Sequence, residues 1–159
     1  GWMYEGGIRE PWIWRVPGVT TPGSSSAVPI SSIDLLPTVL ELTNAPPVEH
    51  EIDGVSVAAA LRGAAMPARP LFWHYPHYGN PGGFPASAVR VGDYKLIERL
   101  EDGRVHLFDL GEDLGETNDL ADAQPERVAR MRALLHDWYR EVDAKFLRER
   151  DGRRPWRPY

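Results

Sequence analysis

The side chains best suited to chemistry stand close together in one aromatic run, Trp73-His74-Tyr75-Pro76-His77-Tyr78. Two imidazoles among aromatic rings can donate to an anionic ligand or hold a metal ion, because histidine changes charge near neutral pH. The same rings could equally be packed, with their nitrogens satisfied by backbone groups. Trp73 and Tyr75 offer flat faces for stacking on a sugar or for simple packing. Arg90 can fork its N–H groups onto an anionic substituent or onto a structural carboxylate. Asp34 could be a metal or acid–base carboxylate, but its place ahead of an apolar run fits a helix cap better. The remaining histidines, His50, His106 and His136, stand apart in the sequence. No G-x-S-x-G elbow, P-loop, H-E-x-x-H or His/Cys zinc spacing occurs. No Asp/Asn cluster has the density of a hard-cation site. The chain has no cysteine, which excludes disulfides, thiolate–metal sites and a cysteine nucleophile. No catalytic or metal-ligating residue is assigned.

These groups must be positioned by short elements. The 159 residues are 42% hydrophobic and 26% charged, which suits one folded domain, and 15 glycines with 15 prolines predict many turns. A net charge of -5 argues against nucleic-acid binding by bulk electrostatics. No apolar run approaches the roughly 18 residues of a membrane span, and residues 1–7 do not read as a signal peptide. Residues 8–16 read as a short strand, with Pro11 at its start or on an edge. A helix is expected over 33–42, with Asp34 as cap, Pro37 in the first turn and Asn44, Pro46 and Pro47 closing it. A second covers 57–62, between Ser56 and Gly63. Residues 71–110 read as an antiparallel meander of about four strands, with turns at Gly92-Asp93 and Asp102-Gly103. Pro125 opens a helix of about six turns, whose stripe of Val128, Met131, Leu135, Trp138, Val142 and Phe146 should pack on the meander. The tail over 145–159 carries Lys145, Arg148, Arg150, Arg153, Arg154 and Arg157 against Glu149 and Asp151. It reads as a solvated end or as an anchor for an anionic surface.

Several short motifs, in order, resemble the C-terminal third of a sulfatase. They are Tyr4-Glu5-Gly6-Gly7-Ile8-Arg9-Glu10-Pro11, Pro17-Gly18, Ser32-Ile33-Asp34-Leu35-Leu36-Pro37-Thr38 and Asp53-Gly54-Val55-Ser56. They continue through Arg69-Pro70-Leu71-Phe72-Trp73-His74-Tyr75-Pro76-His77-Tyr78, Gly92-Asp93-Tyr94-Lys95-Leu96-Ile97, Leu107-Phe108-Asp109-Leu110 and Glu116-Thr117-Asn118-Asp119-Leu120. The similarity runs over about positions 1 to 143.

This resemblance implies an α+β piece of an alkaline-phosphatase-like α/β fold. Residues 1–67 would be the end of the large catalytic domain, 68–147 a smaller subdomain of antiparallel sheet and long helix, and 148–159 a basic tail. Such enzymes hydrolyse sulfate esters with a formylglycine made from a C/S-x-P-x-R motif, beside a calcium ion. Neither that motif nor a calcium ligand set is found here. The lysine that commonly contacts the sulfate would stand immediately before Gly1. The chain is therefore expected to be inert alone, and to shape the pocket for a sulfated small molecule or glycan through His74, His77, Trp73, Tyr75 and Arg90. Glu5, Gly6 and Gly7 would lie behind the site, the glycines serving a tight backbone path. Two alternatives stand beside this one: another alkaline-phosphatase-like hydrolase (a phosphodiesterase or phosphoglycerol transferase), or a free-standing module binding anionic glycans. Sulfatases are often periplasmic, secreted or lysosomal, and the sequence leaves the compartment open. Apolar residues Trp12, Ile13, Trp14, Leu36 and Leu40 would be uncovered in this chain alone and would promote self-association.

Overall fold

A computed structural model describes residues 2–79, 83–148 and 156–159. In chain order its elements are α1 (Glu5–Ile8), a 3-10 turn (Ser32–Asp34), α2 (Leu35–Thr43), α3 (Ala58–Leu61), β1 (Leu71–Tyr75), β2 (Ala86–Val91), β3 (Tyr94–Arg99), β4 (Val105–Asp109) and α4 (Pro125–Glu141). They fall into two compact units, Gly1–Glu10 with Arg69–Tyr159, and Pro11–Ala68. The first ten residues thus pack in the unit that holds the sheet.

The sheet unit is the expected meander. Its strands lie in the order β1-β2-β3-β4, every neighbouring pair antiparallel. Gly92 (φ +60°) and Gly103 (φ +72°) occupy the left-handed conformations that the two tight turns require. Side chains alternate across the sheet, and both faces are covered. On one face Val89, Leu96 and Leu107 pack against Met131, Leu135 and Tyr139 of α4. On the other, Ala86, Ala88, Ile97 and Phe108 pack with Met3, and Tyr4, Trp73, Tyr75 and Phe84 close over them.

Helix α4 opens at Pro125 as expected, because a proline at the first helical position gives up an N–H that has no partner there anyway. It spans 17 residues, fewer than the stripe implied. Asp143, in the left-handed conformation (φ +49°), turns the chain away after Glu141. Val142 is left exposed beyond the helix, while Phe146 returns to set its ring edge-on against Tyr139, 5.0 Å away. The deepest line of α4 is Met131, Leu135 and Tyr139, at strict four-residue spacing.

The expected strand over 8–16 does not form. Residues 5–8 make one helical turn, and 9–16 run on without a ladder partner among the described residues. Clustered aromatic and β-branched residues favour a strand only when another edge is present to bond it, and Pro11 removes one donor. Trp12 and Trp14 instead set their rings 5.5 Å apart, and Ile13 is 89% exposed.

Within Pro11–Ala68, Asp34 is buried and acts as a brace. Its Oδ2 accepts the Ser31 N–H (2.8 Å) and its Oδ1 the Val55 N–H (3.0 Å), so one carboxylate holds the turn before α2 and a segment twenty-one residues further on. Thr38 repeats the device, its hydroxyl donating to the Asp34 carbonyl (2.6 Å) and accepting the Val57 N–H (2.9 Å). A Cβ on Gly54 would stand 2.0 Å from the Ile33 carbonyl oxygen, so this approach requires glycine. Asn44 (φ +53°) ends α2 as anticipated, and α3 is confined to Ala58–Leu61.

Candidate functional site

Strand alternation splits the aromatic run between two environments. His74 lies in β1 and turns toward α4, with its ring 5.6 Å from Tyr139 and 5.3 Å from Phe146. Its Nε2 donates to the Lys145 carbonyl (2.6 Å), since a carbonyl can only accept. Its Nδ1 lies 2.7 Å from the Ser87 hydroxyl, which donates to it when the ring is neutral. Burial pushes the His74 pKa below the ordinary histidine value, outweighing the carbonyl bond that pulls it upward. Both ring nitrogens have hydrogen-bond partners within this chain.

Trp73 and Tyr75 face the opposite side, against the cluster that holds Met3, Ala88 and Phe108. His77, just past the strand, is exposed and stands edge-on to the Tyr75 ring at 5.3 Å. Tyr78 is tied back, its hydroxyl donating to Glu101 (3.1 Å). Arg90 is committed elsewhere: its Nε donates to the Gly92 carbonyl (2.9 Å) and its Nη2 lies 3.9 Å from Asp93, bracing the β2–β3 turn. Of five expected contact residues, Trp73, Tyr75 and His77 remain together.

Two buried ionic groups on β3 were not anticipated. Lys95, fully buried, holds its Nζ 2.9 Å from Glu5 and 2.9 Å from Glu116. Three residues along the same strand, on the α4 face, Glu98 receives Arg132 Nε (2.7 Å), His136 Nε2 (2.9 Å) and the Tyr139 hydroxyl (3.0 Å). Burial and the adjacent Glu98 carboxylate raise the Tyr139 phenol far above its ordinary value, so it stays a neutral donor. The signal available in sequence was Lys95 and Glu98 on either side of the apolar pair Leu96-Ile97. Such residues read as solvent-facing until both faces of the sheet are known to be covered.

Among the described residues, no group of three or more His, Cys, Asp or Glu side chains is placed to hold a metal ion. The chain holds neither a cysteine nor a Ser-x-Pro triplet. No described helix is long and apolar enough to cross a membrane.

A four-stranded meander under a long C-terminal helix, as in the alkaline-phosphatase-like sulfatases, is the class to which the sheet unit conforms. Residues 1–145 match the family described as N-sulphoglucosamine sulphohydrolase, C-terminal, and the chain belongs to that sulfatase family. It is 38% identical over 139 residues to a sulfatase of Formosa agariphila, covering 80% of this chain and 25% of that protein. It is 32% identical over 161 residues to human arylsulfatase A, covering 84% of this chain and 31% of the relative. Among solved structures, a 2-O GAG sulfatase is 30% identical with a TM-score of 0.55, over 70% of this chain and 25% of that one. The chain thus spans about a quarter to a third of the length of these relatives.

Proposed function

We propose that this chain is the C-terminal portion of a sulfatase hydrolysing aryl or carbohydrate sulfate esters, and that it supports and shapes the substrate pocket without cleaving the ester itself. The observation that carries this is the family match over residues 1–145, together with a sheet unit of the matching architecture. In this reading residues 1–67 are the end of the large catalytic domain and 68–147, the meander with α4, are the smaller subdomain. A formylglycine and a calcium ion supply the nucleophile and the charge stabilisation in such enzymes, and both belong to polypeptide outside this chain.

What these residues do is bind and orient. His77 offers a solvent-facing imidazole that can donate to a sulfate or sugar oxygen, and Tyr75 holds that ring edge-on. Trp73 is half-buried, and the part of its ring left uncovered is of the flat apolar kind suited to a sugar. His74 and Arg90 contribute indirectly, by tying β1 to the segment that follows α4 and by closing the β2–β3 turn. Similarity to a 2-O GAG sulfatase supports sulfated sugars as the substrate class. In the full-length enzyme, His77→Ala should lower kcat/KM for a sulfated disaccharide about tenfold while leaving Tm within about 1 °C. An unchanged kcat/KM removes His77 from the pocket.

A further inference from the structure

We infer that Lys95, Glu5 and Glu116 form an ionic clasp that positions the N-terminal segment on the sheet, which makes Lys95 and Glu116 positioning residues for hydrolysis; this rests on the sulfatase reading above. The three come from separate parts of the chain: α1, β3 and the loop after β4. The Lys95, Glu5 and Glu116 side chains are 0%, 8% and 3% exposed. The backbone N–H of Glu5 also donates to the Glu116 carboxylate, so Glu5 is held through both its side chain and its main chain. Arg9 Nη1, 3.8 Å from the second Glu5 oxygen, adds a weaker contact at the rim.

Two features show that the surrounding backbone is shaped to make this contact. Glu116 sits at φ +54°, in the left-handed region that disfavours a side chain. It is kept there by Asp113, whose Oδ2 accepts the N–H groups of Thr117 and Asn118 (2.8 Å each). Those bonds hold the Asp113 carboxyl below its usual pKa, in its ionised, accepting form. At the other end, a Cβ on Gly7 would lie 2.4 Å from the Trp2 carbonyl oxygen, so the turn around Glu5 has one available shape. A charged trio costs more to dehydrate than an apolar trio of equal volume, and what it gives in return is a single geometry. The segment it fixes is the one whose motif leads into this chain's similarity to the sulfatases. An error of about 1 Å carried from there to reacting groups can cost as much as roughly 100-fold in rate.

The decisive variant is Glu5→Gln with Lys95→Met and Glu116→Gln, which removes the charges without leaving any one of them buried and unpaired. Lys95→Met alone would leave two buried carboxylates facing each other without a cation, so the triple variant is the one read. Hydrogen exchange of the 159-residue chain should show Leu96 and Leu107 amides still protected, while Gly7, Ile8 and Arg9 amides exchange roughly 100-fold faster. Unchanged protection at those three amides overturns the clasp. In the full-length enzyme the same triple variant, assayed well below its Tm, should lower kcat for an aryl sulfate roughly 10- to 100-fold with KM within about threefold. Unchanged kcat overturns the positioning role. An unsubstituted full-length enzyme without sulfatase turnover would instead overturn the sulfatase reading and the hydrolytic role with it, while the exchange result still decides the clasp.

Discussion

The two compact units treat their apolar residues in opposite ways. In the sheet unit, strands are covered on both faces, and even the charged side chains of Lys95 and Glu98 are enclosed and paired. Within Pro11–Ala68, the buried residues are Asp34, Thr38, Val57 and Ala58, two of them polar braces. Meanwhile Ile13, Leu35, Leu36, Val39 and Ile52 lie exposed. The first unit has a core of its own. The second has well-formed local structure, capped and braced by hydrogen bonds, around very little apolar burial. A segment with that pattern is built to be covered by other polypeptide, which agrees with its proposed place at the end of a larger domain.

The largest effect should come from opening the core of the sheet unit. Leu135 is fully buried between α4 and the strands, and Leu135→Ala should cost about 3–4 kcal/mol, read as a fall in the denaturant midpoint. A loss below about 1 kcal/mol would mean that the two units are more alike than their burial suggests. A smaller effect follows from His74. Its folded pKa lies below the unfolded value of 6.5, so the unfolded chain binds the extra proton first. The contribution of neutral His74 is thus present above pH 6.5 and is lost as pH falls from there toward the lower folded pKa. A pH titration of sheet-unit stability should show that decline, and His74→Gln should flatten it; an identical slope in the variant would sink the assignment. The smallest effect on stability is expected in the other unit. Leu36 is 44% exposed, so Leu36→Ser should change stability by no more than about 0.5 kcal/mol while reducing self-association in sedimentation. A large destabilisation there would erase the contrast between the units.

How much of this could be read in advance depended on whether the deciding contact was local. The meander was legible because Gly92 and Gly103 mark their own turns on either side of the short strand β3. Asp34 was legible as structural, although its second partner, Val55, lies far along the chain. The strand over 8–16 does not form because pairing is a property of two edges, and no second edge bonds this segment among the described residues. The α4 stripe was read one residue off at its centre, since Trp138 and Tyr139 both fit an apolar spacing and only the sheet chooses between them. Trp138 instead stacks flat on Phe72, 4.8 Å away. For the candidate site, residue types alone could not separate His74 from His77. One has a carbonyl from residue 145 waiting for it and the other has open solvent.

The claim that this chain supports a sulfatase site without containing its reactive groups is tested most directly by comparing two polypeptides against one aryl sulfate. The 159-residue chain should release no product above the uncatalysed rate, and the full-length enzyme that carries it should turn the ester over. Hydrolysis by the short chain, or none by the long one, would contradict the account.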